Sequence, residues 1–169
     1  MPSYPIAELK SHIGESHQTV AELTVEAGKV EEFAHAIYDP KSEYLEGGVS
    51  DSVNVDGRVA PPTFLRTWYF QRYRPDGIET DYGFDLGLNP AHTIHGEQSY
   101  EFSRPVHVGD TLSAETTLTD VYQRTGDRGG TMTFVVFQTE FTDENDEIVA
   151  CVENTRIETE GAIGGSDNE

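Results

Sequence analysis

Three side chains able to move protons or bind metal crowd one short stretch, His92-Thr-Ile-His95-Gly-Glu97-Gln98, which leads into an alternating run that stops at Arg104-Pro105. A carboxylate and an imidazole that share one water can draw off one proton while another is delivered, so His95 with Glu97 is a candidate acid/base pair. Strand periodicity expects both on one face. The plainer reading makes His95 a histidine that bonds backbone where a strand begins. His92, His95 and Glu97 are also zinc-ligand types, but their spacing matches no zinc signature and no metal site is expected. Asp39, followed by Pro40, is a second candidate carboxylate, and its plain reading is the turn that ends a helix. Arg58, Arg66, Arg72, Arg74 and Arg104 form a local excess of guanidinium groups that can hold phosphates, or else make ordinary ion pairs.

The elements that must position these groups are legible from periodicity. Residues 19–25 (TVAELTV) alternate as a strand, and residues 28–38 place Val30, Phe33, Ala34 and Ile37 on one helical face. Asp39-Pro40 ends that helix. After a polar loop, APPTFLRTWYFQRY begins with prolines and spaces Phe64, Leu65, Trp68, Tyr69 and Tyr73 as a buried central helix. Four strands are expected at 97–104, 111–122, 131–142 and 147–158, separated by PVHVGD, RTGDRGG and DENDE. Residues 132–141 carry apolar side chains in both phases, which predicts cover on both faces of the sheet. The order strand, helix, excursion, central helix and antiparallel meander is that of an α+β fold.

Length and charge narrow the function classes. The 169 residues suit one domain. An N-terminal extension (1–17), a folded unit (18–158) and a disordered acidic tail (159–169) are expected. With 11 basic against 31 acidic side chains the net charge is −20, and the only lysines are Lys10, Lys29 and Lys41. Such a surface repels nucleic acid and anionic membranes. Its self-repulsion is relieved where salt near 1 M shortens the Debye length to about 3 Å, which predicts a salt-rich cytoplasm. The single cysteine, Cys151, leaves no disulfide framework. No apolar run approaches the roughly 18 residues of a membrane span, and no signal-peptide pattern opens the chain.

The stretch Gln98-Ser-Tyr-Glu-Phe-Ser-Arg-Pro-Val-His-Val-Gly-Asp110, with APPTF before the central helix and HGEQ before the strand, resembles the MaoC-like dehydratases. It is most similar to their N-terminal type, also found in the paired dehydratase subunits of mycobacterial fatty-acid synthesis. The resemblance covers about residues 18–158. It implies a hot-dog fold, an antiparallel sheet wrapped around one long central helix. It further implies reversible hydration of a trans-2-enoyl thioester on coenzyme A or acyl carrier protein, within fatty-acid metabolism and without another cofactor. Substrate contacts are then expected from Thr63, Phe64, Trp68, Arg58, Arg66 and Gln98, with the arginines near coenzyme A phosphates.

Catalytic members of that family carry Asp-x-Asn-Pro-x-His after the first helix and His-Gly at the start of the central helix. In AIYDPKSEY, alignment on Pro40 puts Ile37 at the aspartate and Ser42 at the histidine. Pro62 falls at the glycine and has no N–H to donate, so the oxyanion donor would have to be Thr63. These departures imply a subunit that shapes the acyl site and pairs with a second, motif-bearing MaoC-like chain. Two other readings remain open: a homodimeric hydratase using His95 or Asp39, and a thioester-binding protein or thioesterase.

Overall fold

The computed structural model describes residues 4–45, 57–69, 82–126 and 130–160. The chain begins with α1 (Ile6–Ser11), followed by β1 (Ser16–Thr24), α2 (Ala27–Ala36) and the short α3 (Ser42–Leu45). A 3-10 turn, η1 (Phe64–Tyr69), precedes β2 (Thr93–Phe102), β3 (Thr111–Gly126), β4 (Gly130–Thr142) and β5 (Ile148–Glu158). The strands form one five-stranded antiparallel sheet in the order β1-β3-β4-β5-β2, so β1 and β2 are its edges.

One face of the sheet is the core face. Leu112, Ala114 and Leu118 of β3, Val135, Phe137 and Phe141 of β4, and Ala150 and Val152 of β5 are buried there with Val30 and Ala34 of α2 and Phe64, Leu65 and Trp68 of η1. Each strand contributes every second residue to that face, as the pleat requires. Segment 4–15 is more than an appendage. Leu9 is fully buried in the same core, and Gly14 N–H donates to the Leu118 carbonyl at 2.8 Å.

The opposite face of β4 departs from the expected cover. Met132 and Phe134 are only half-buried, although Val136 in the same phase is buried, and the described helices all join the single core on the other side. Phe134 is sheltered within its own face instead. Its ring stacks on Tyr122 at 4.7 Å, and the Arg124 guanidinium lies 5.7 Å over it. Cross-strand aromatic pairing thus does what a second layer was expected to do.

Of the segment 60–73 expected as the central helix, the described residues run to Tyr69 and form a six-residue 3-10 turn. Phe64 N–H donates to the Pro61 carbonyl, so the prolines open a 3-10 turn that buries Phe64 against the edge of Phe33, with centroids 5.7 Å apart. The Tyr69 side chain and Tyr73 lie outside the described residues, as do Arg72, Arg74 and the tail beyond residue 160.

Turn chemistry sets the register. The β4–β5 hairpin is tied by Asp143, whose Oδ1 accepts from the N–H groups of Asn145 (2.9 Å) and Glu147 (3.2 Å). Its other oxygen receives Arg104 at 3.3 Å, and Arg104 also donates to Asp110 at 2.7 Å. One guanidinium therefore joins the end of β2, the start of β3 and the β4–β5 turn. The backbone bonds of Asn145 and Glu147 come first in holding the Asp143 carboxyl below its usual range, with Arg104 adding to them.

Candidate functional site

The core face turns polar where β2 runs beside β5. Register pairs His95 with Arg156, Gln98 with Asn154 and Tyr100 with Val152. His95 Nε2 lies 2.8 Å from Asn154 Nδ2 and 3.0 Å from Gln98 Oε1. Gln98 Nε2 lies 2.7 Å from the Tyr100 hydroxyl, and Tyr82 O–H donates to Asn154 Oδ1 at 3.3 Å. Asn154 and Tyr82 are each 3 % exposed, whereas the His95 ring is open to solvent. One buried amide, Asn154, itself held by Tyr82, and the half-buried Gln98 thus hold one exposed imidazole.

An aromatic wall backs this cluster. The ring of Tyr82 lies 5.7 Å from Trp68 and 4.7 Å from Phe137, and Arg156 sits 4.6 Å over it. A guanidinium over an aromatic face is stabilised by the ring quadrupole, which allows a charge at the core's margin. Arg66 of η1 lies near enough to Tyr100 for its charge to act on the phenol. Burial pushes the Tyr100 phenol up, and the Arg66 charge pulls it partly back.

A β-bulge sets this geometry and corrects the expected acid/base pair. Between His95 and Glu97 the register advances by one residue on β5 for two on β2, so Gly96 is extra. Gln98 returns to the face of His95, while Glu97, opposite Thr155, points away. His95 and Glu97 therefore cannot share a water. Glycine gives room at the bulge: a Cβ there would approach Ile157 Cδ1 to 2.7 Å and the Thr155 carbonyl to 3.1 Å, so the Ile157 side chain would have to shift. Bulges commonly re-aim a side chain in this way.

The other sequence candidates scatter. Asp39 pairs with Lys41 at 3.0 Å just beyond α2, where Tyr38 at φ 57° and the Asp39 N–H bond to Ala34 close the helix. Ile37 and Ser42 flank that corner, exposed, and supply neither a carboxylate nor an imidazole. Thr63 is exposed at the open end of η1, and its N–H donates to none of the described residues. Phe64 and Trp68 are core. Arg58 is half-buried where its carbonyl accepts from Val108, and Arg104 is committed to Asp110 and Asp143. The His92 carbonyl accepts from Thr159, fixing the loop before β2 to the end of β5. Of the sequence candidates among the described residues, His95 and Gln98 meet directly, and Trp68 packs on the Tyr82 ring behind Asn154.

Asn154, Arg156, Tyr82 and Tyr100 were not singled out from sequence. The signal was present for two of them. Continuing the alternation of β5 from buried Val152 puts Asn154 and Arg156 in the inward phase, where polar residues demand partners.

Residues 11–152 match the family described as FAS1-like, dehydratase domain region. A UPF0336 protein of Saccharopolyspora erythraea is 26% identical over 148 residues, covering 88% of this chain and 89% of its own. One from Cutibacterium acnes is 32% identical over 117 residues, covering 69% and 73%. Among solved structures, the HadBC (3R-hydroxyacyl-ACP dehydratase) complex of Mycobacterium tuberculosis aligns with a TM-score of 0.69 at 22% identity, over 86% of this chain and 96% of that one. The ChsH1-ChsH2 complex of the same organism gives 0.67 at 16% identity over 96% of each chain. Among the described residues no helix is long and apolar enough to cross a membrane. The sheet order and the core beneath it agree with the hot-dog fold of these solved structures, and the family match over most of its length places the chain: it belongs to the family described as FAS1-like, dehydratase domain region.

Proposed function

We propose that this chain is the acyl-binding subunit of an enoyl-thioester hydratase, pairing with a second MaoC-like chain that carries the Asp/His motif. One observation carries the reading. The α2–α3 corner, where the resemblance places the catalytic pair, holds exposed Ile37 and Ser42, with the nearby Asp39 engaged by Lys41. A partner can reach the rest of the machinery because β2 is a sheet edge whose outer backbone groups pair with no described strand. Open edges recruit strands, so a companion sheet adding there would stand beside His95 and Gln98. The HadBC and ChsH1-ChsH2 complexes, whose fold this chain shares, support pairing. The substrate carrier is coenzyme A or acyl carrier protein, and the setting is the fatty-acid metabolism of a salt-rich cytoplasm.

The isolated chain in 1 M KCl should fail to hydrate crotonyl-coenzyme A, and activity should appear on mixing with a motif-bearing companion. Turnover by the isolated chain that vanishes in His95→Ala would replace this reading with a self-sufficient homodimer. The orientation of His95 by a buried amide is what favours that second reading. Release of free coenzyme A would point to a thioesterase.

A further inference from the structure

We infer that the open edge of β2 selects its partner by charge: it disfavours a second copy of this chain and fits an edge strand that sets lysine or arginine opposite Glu97 and Glu101. The inference rests on the pairing at β2 proposed above and adds the chemistry of the strand that pairs.

Of the two sheet edges, β2 is the better shaped to receive a strand. β1 loses register twice against β3 within nine residues, whereas β2 runs from Glu97 to Phe102 against β5 without a break. Prolines, lysines and bulges commonly guard an open edge. The run from Glu97 to Phe102 contains none of them. Ile94 before it and Phe102 at its end stay exposed, by 43 % and 38 %. The bulge at Gly96 decides which side chains line the outer face of that edge. Glu97, Ser99 and Glu101 point there, all exposed, with Gln98, Tyr100 and Phe102 on the core face. Behind them on β5, Glu153 stands opposite Ser99. No lysine or arginine relieves this row. Across β2, β5 and β4 the only one is Arg156, which lies on the core face over Tyr82, and Arg104 just past β2 is committed to Asp110 and Asp143.

Two-fold pairing makes this row repel itself. An antiparallel neighbour brings side chains of the same face opposite each other, so a second copy centred on Ser99 sets Glu97 against Glu101 of that copy, and Glu101 against its Glu97. A centre on Glu97 or Glu101 opposes one carboxylate to its own counterpart. A centre on Gln98 or Tyr100 puts a carboxylate opposite Ser99 of the copy, with carboxylates on both diagonals. Like charges directly opposite destabilise a sheet and opposite charges stabilise it. A strand with lysine or arginine at the facing positions turns each repulsion into an ion pair, and pairs partly enclosed between strands are screened by salt less than open ones. Carboxylates whose only task was to keep strands away would have no use for the exposed Ile94 and Phe102 beside them.

The test needs no natural companion, because a charge-reversed copy of this chain supplies the complementary edge. Three proteins are compared: the wild-type chain, Glu97→Lys/Glu101→Lys, and a control with the same net charge, Glu115→Lys/Glu140→Lys, altered away from the edge on β3 and β4. Each is sedimented alone and in equal mixture with wild type, at the lowest KCl concentration where circular dichroism shows all three folded. Wild type and the edge variant should each be monomeric alone. Mixed, they should pair with a Kd at least tenfold below that of either self-pair, a preference that narrows in 1 M KCl. The control should bind wild type no better than wild type binds itself. A wild-type chain that self-pairs as tightly as the mixture, or a control that matches the edge variant, overturns the inference and leaves the subunit reading standing. No association in any mixture overturns the inference and also removes β2 as the pairing edge of that reading. A mixed pair as expected, from a wild-type chain that never activates a motif-bearing companion, would sink the subunit reading alone.

Discussion

Glu140 stands directly across the β3–β4 ladder from Glu115, and two strands away on its other side, beyond Cys151, lies Glu101. All three carboxylates are on the face away from the core and exposed. Like charges in register repel, and the repulsion here can be worked out. With strands about 4.8 Å apart, the carboxylates of Glu140 and Glu115 lie about 6 Å apart and those of Glu140 and Glu101 about 10 Å. Coulomb's law in water then gives about 0.7 and about 0.4 kcal/mol. At 10 mM salt, where the Debye length is about 30 Å, about 0.9 kcal/mol of the sum survives; at 1 M, where it is about 3 Å, about 0.1 kcal/mol does. Glu140→Gln should therefore stabilise the fold by about 0.9 kcal/mol in 10 mM KCl and by almost nothing in 1 M KCl. The side chain keeps an oxygen for its 3.4 Å contact with Gln138, so little else changes. Urea unfolding of both proteins at the two salt concentrations reads the difference. A gain that is equal at both concentrations, or a loss at low salt, would refute the claim that repulsion on this face is what salt relieves.

Two further perturbations probe the elements around the polar cluster. Gly96→Ala should destabilise by about 1–3 kcal/mol, the usual range for overpacking, and Ile157→Ala in the same chain should recover part of that loss because Ile157 is the first atom group met. Additive losses in the urea midpoints would show that the contact is not the cause. Asp143→Asn should lower stability at pH 7, and the gap to the parent should close on acidification. The sign follows from the depressed carboxyl: its contribution is complete above the ordinary aspartate pKa and is lost as pH falls through the folded value. A gap that persists unchanged at pH 3 would mean that the hydrogen bonds of Asn145 and Glu147 do not discriminate the ionised form.

Periodicity was a good guide wherever one rule governed a segment. The strands from Thr111 onward and the face of α2 that buries Val30 and Ala34 follow the alternations in the sequence closely. It failed where a second rule intervened. The extra residue at Gly96 reversed the phase of everything after it on β2, and a single glycine in a strand pattern is the only hint of a bulge that sequence offers. In residues 132–141 the apolar residues of the outward phase predict a covering layer, and Val136 is indeed buried. Met132 and Phe134 instead lie half-exposed, with Tyr122 and Arg124 as shelter from within the sheet. Cross-strand partners are set by register, which no local window contains.

The candidate site illustrates the same limit at the level of chemistry. Sequence proximity suggested that His95 and Glu97 act together, yet the partners of His95 come from Gln98 beyond the bulge and from Asn154, 59 residues later. What made Asn154 discoverable was physical rather than local: an amide in the inward phase of a core strand must find partners or cost about 1–3 kcal/mol. That requirement already implied a polar cluster on the β5 side of the core. The location of a candidate site was thus more legible from a buried polar residue that needed explaining than from the reactive side chains that drew the eye first.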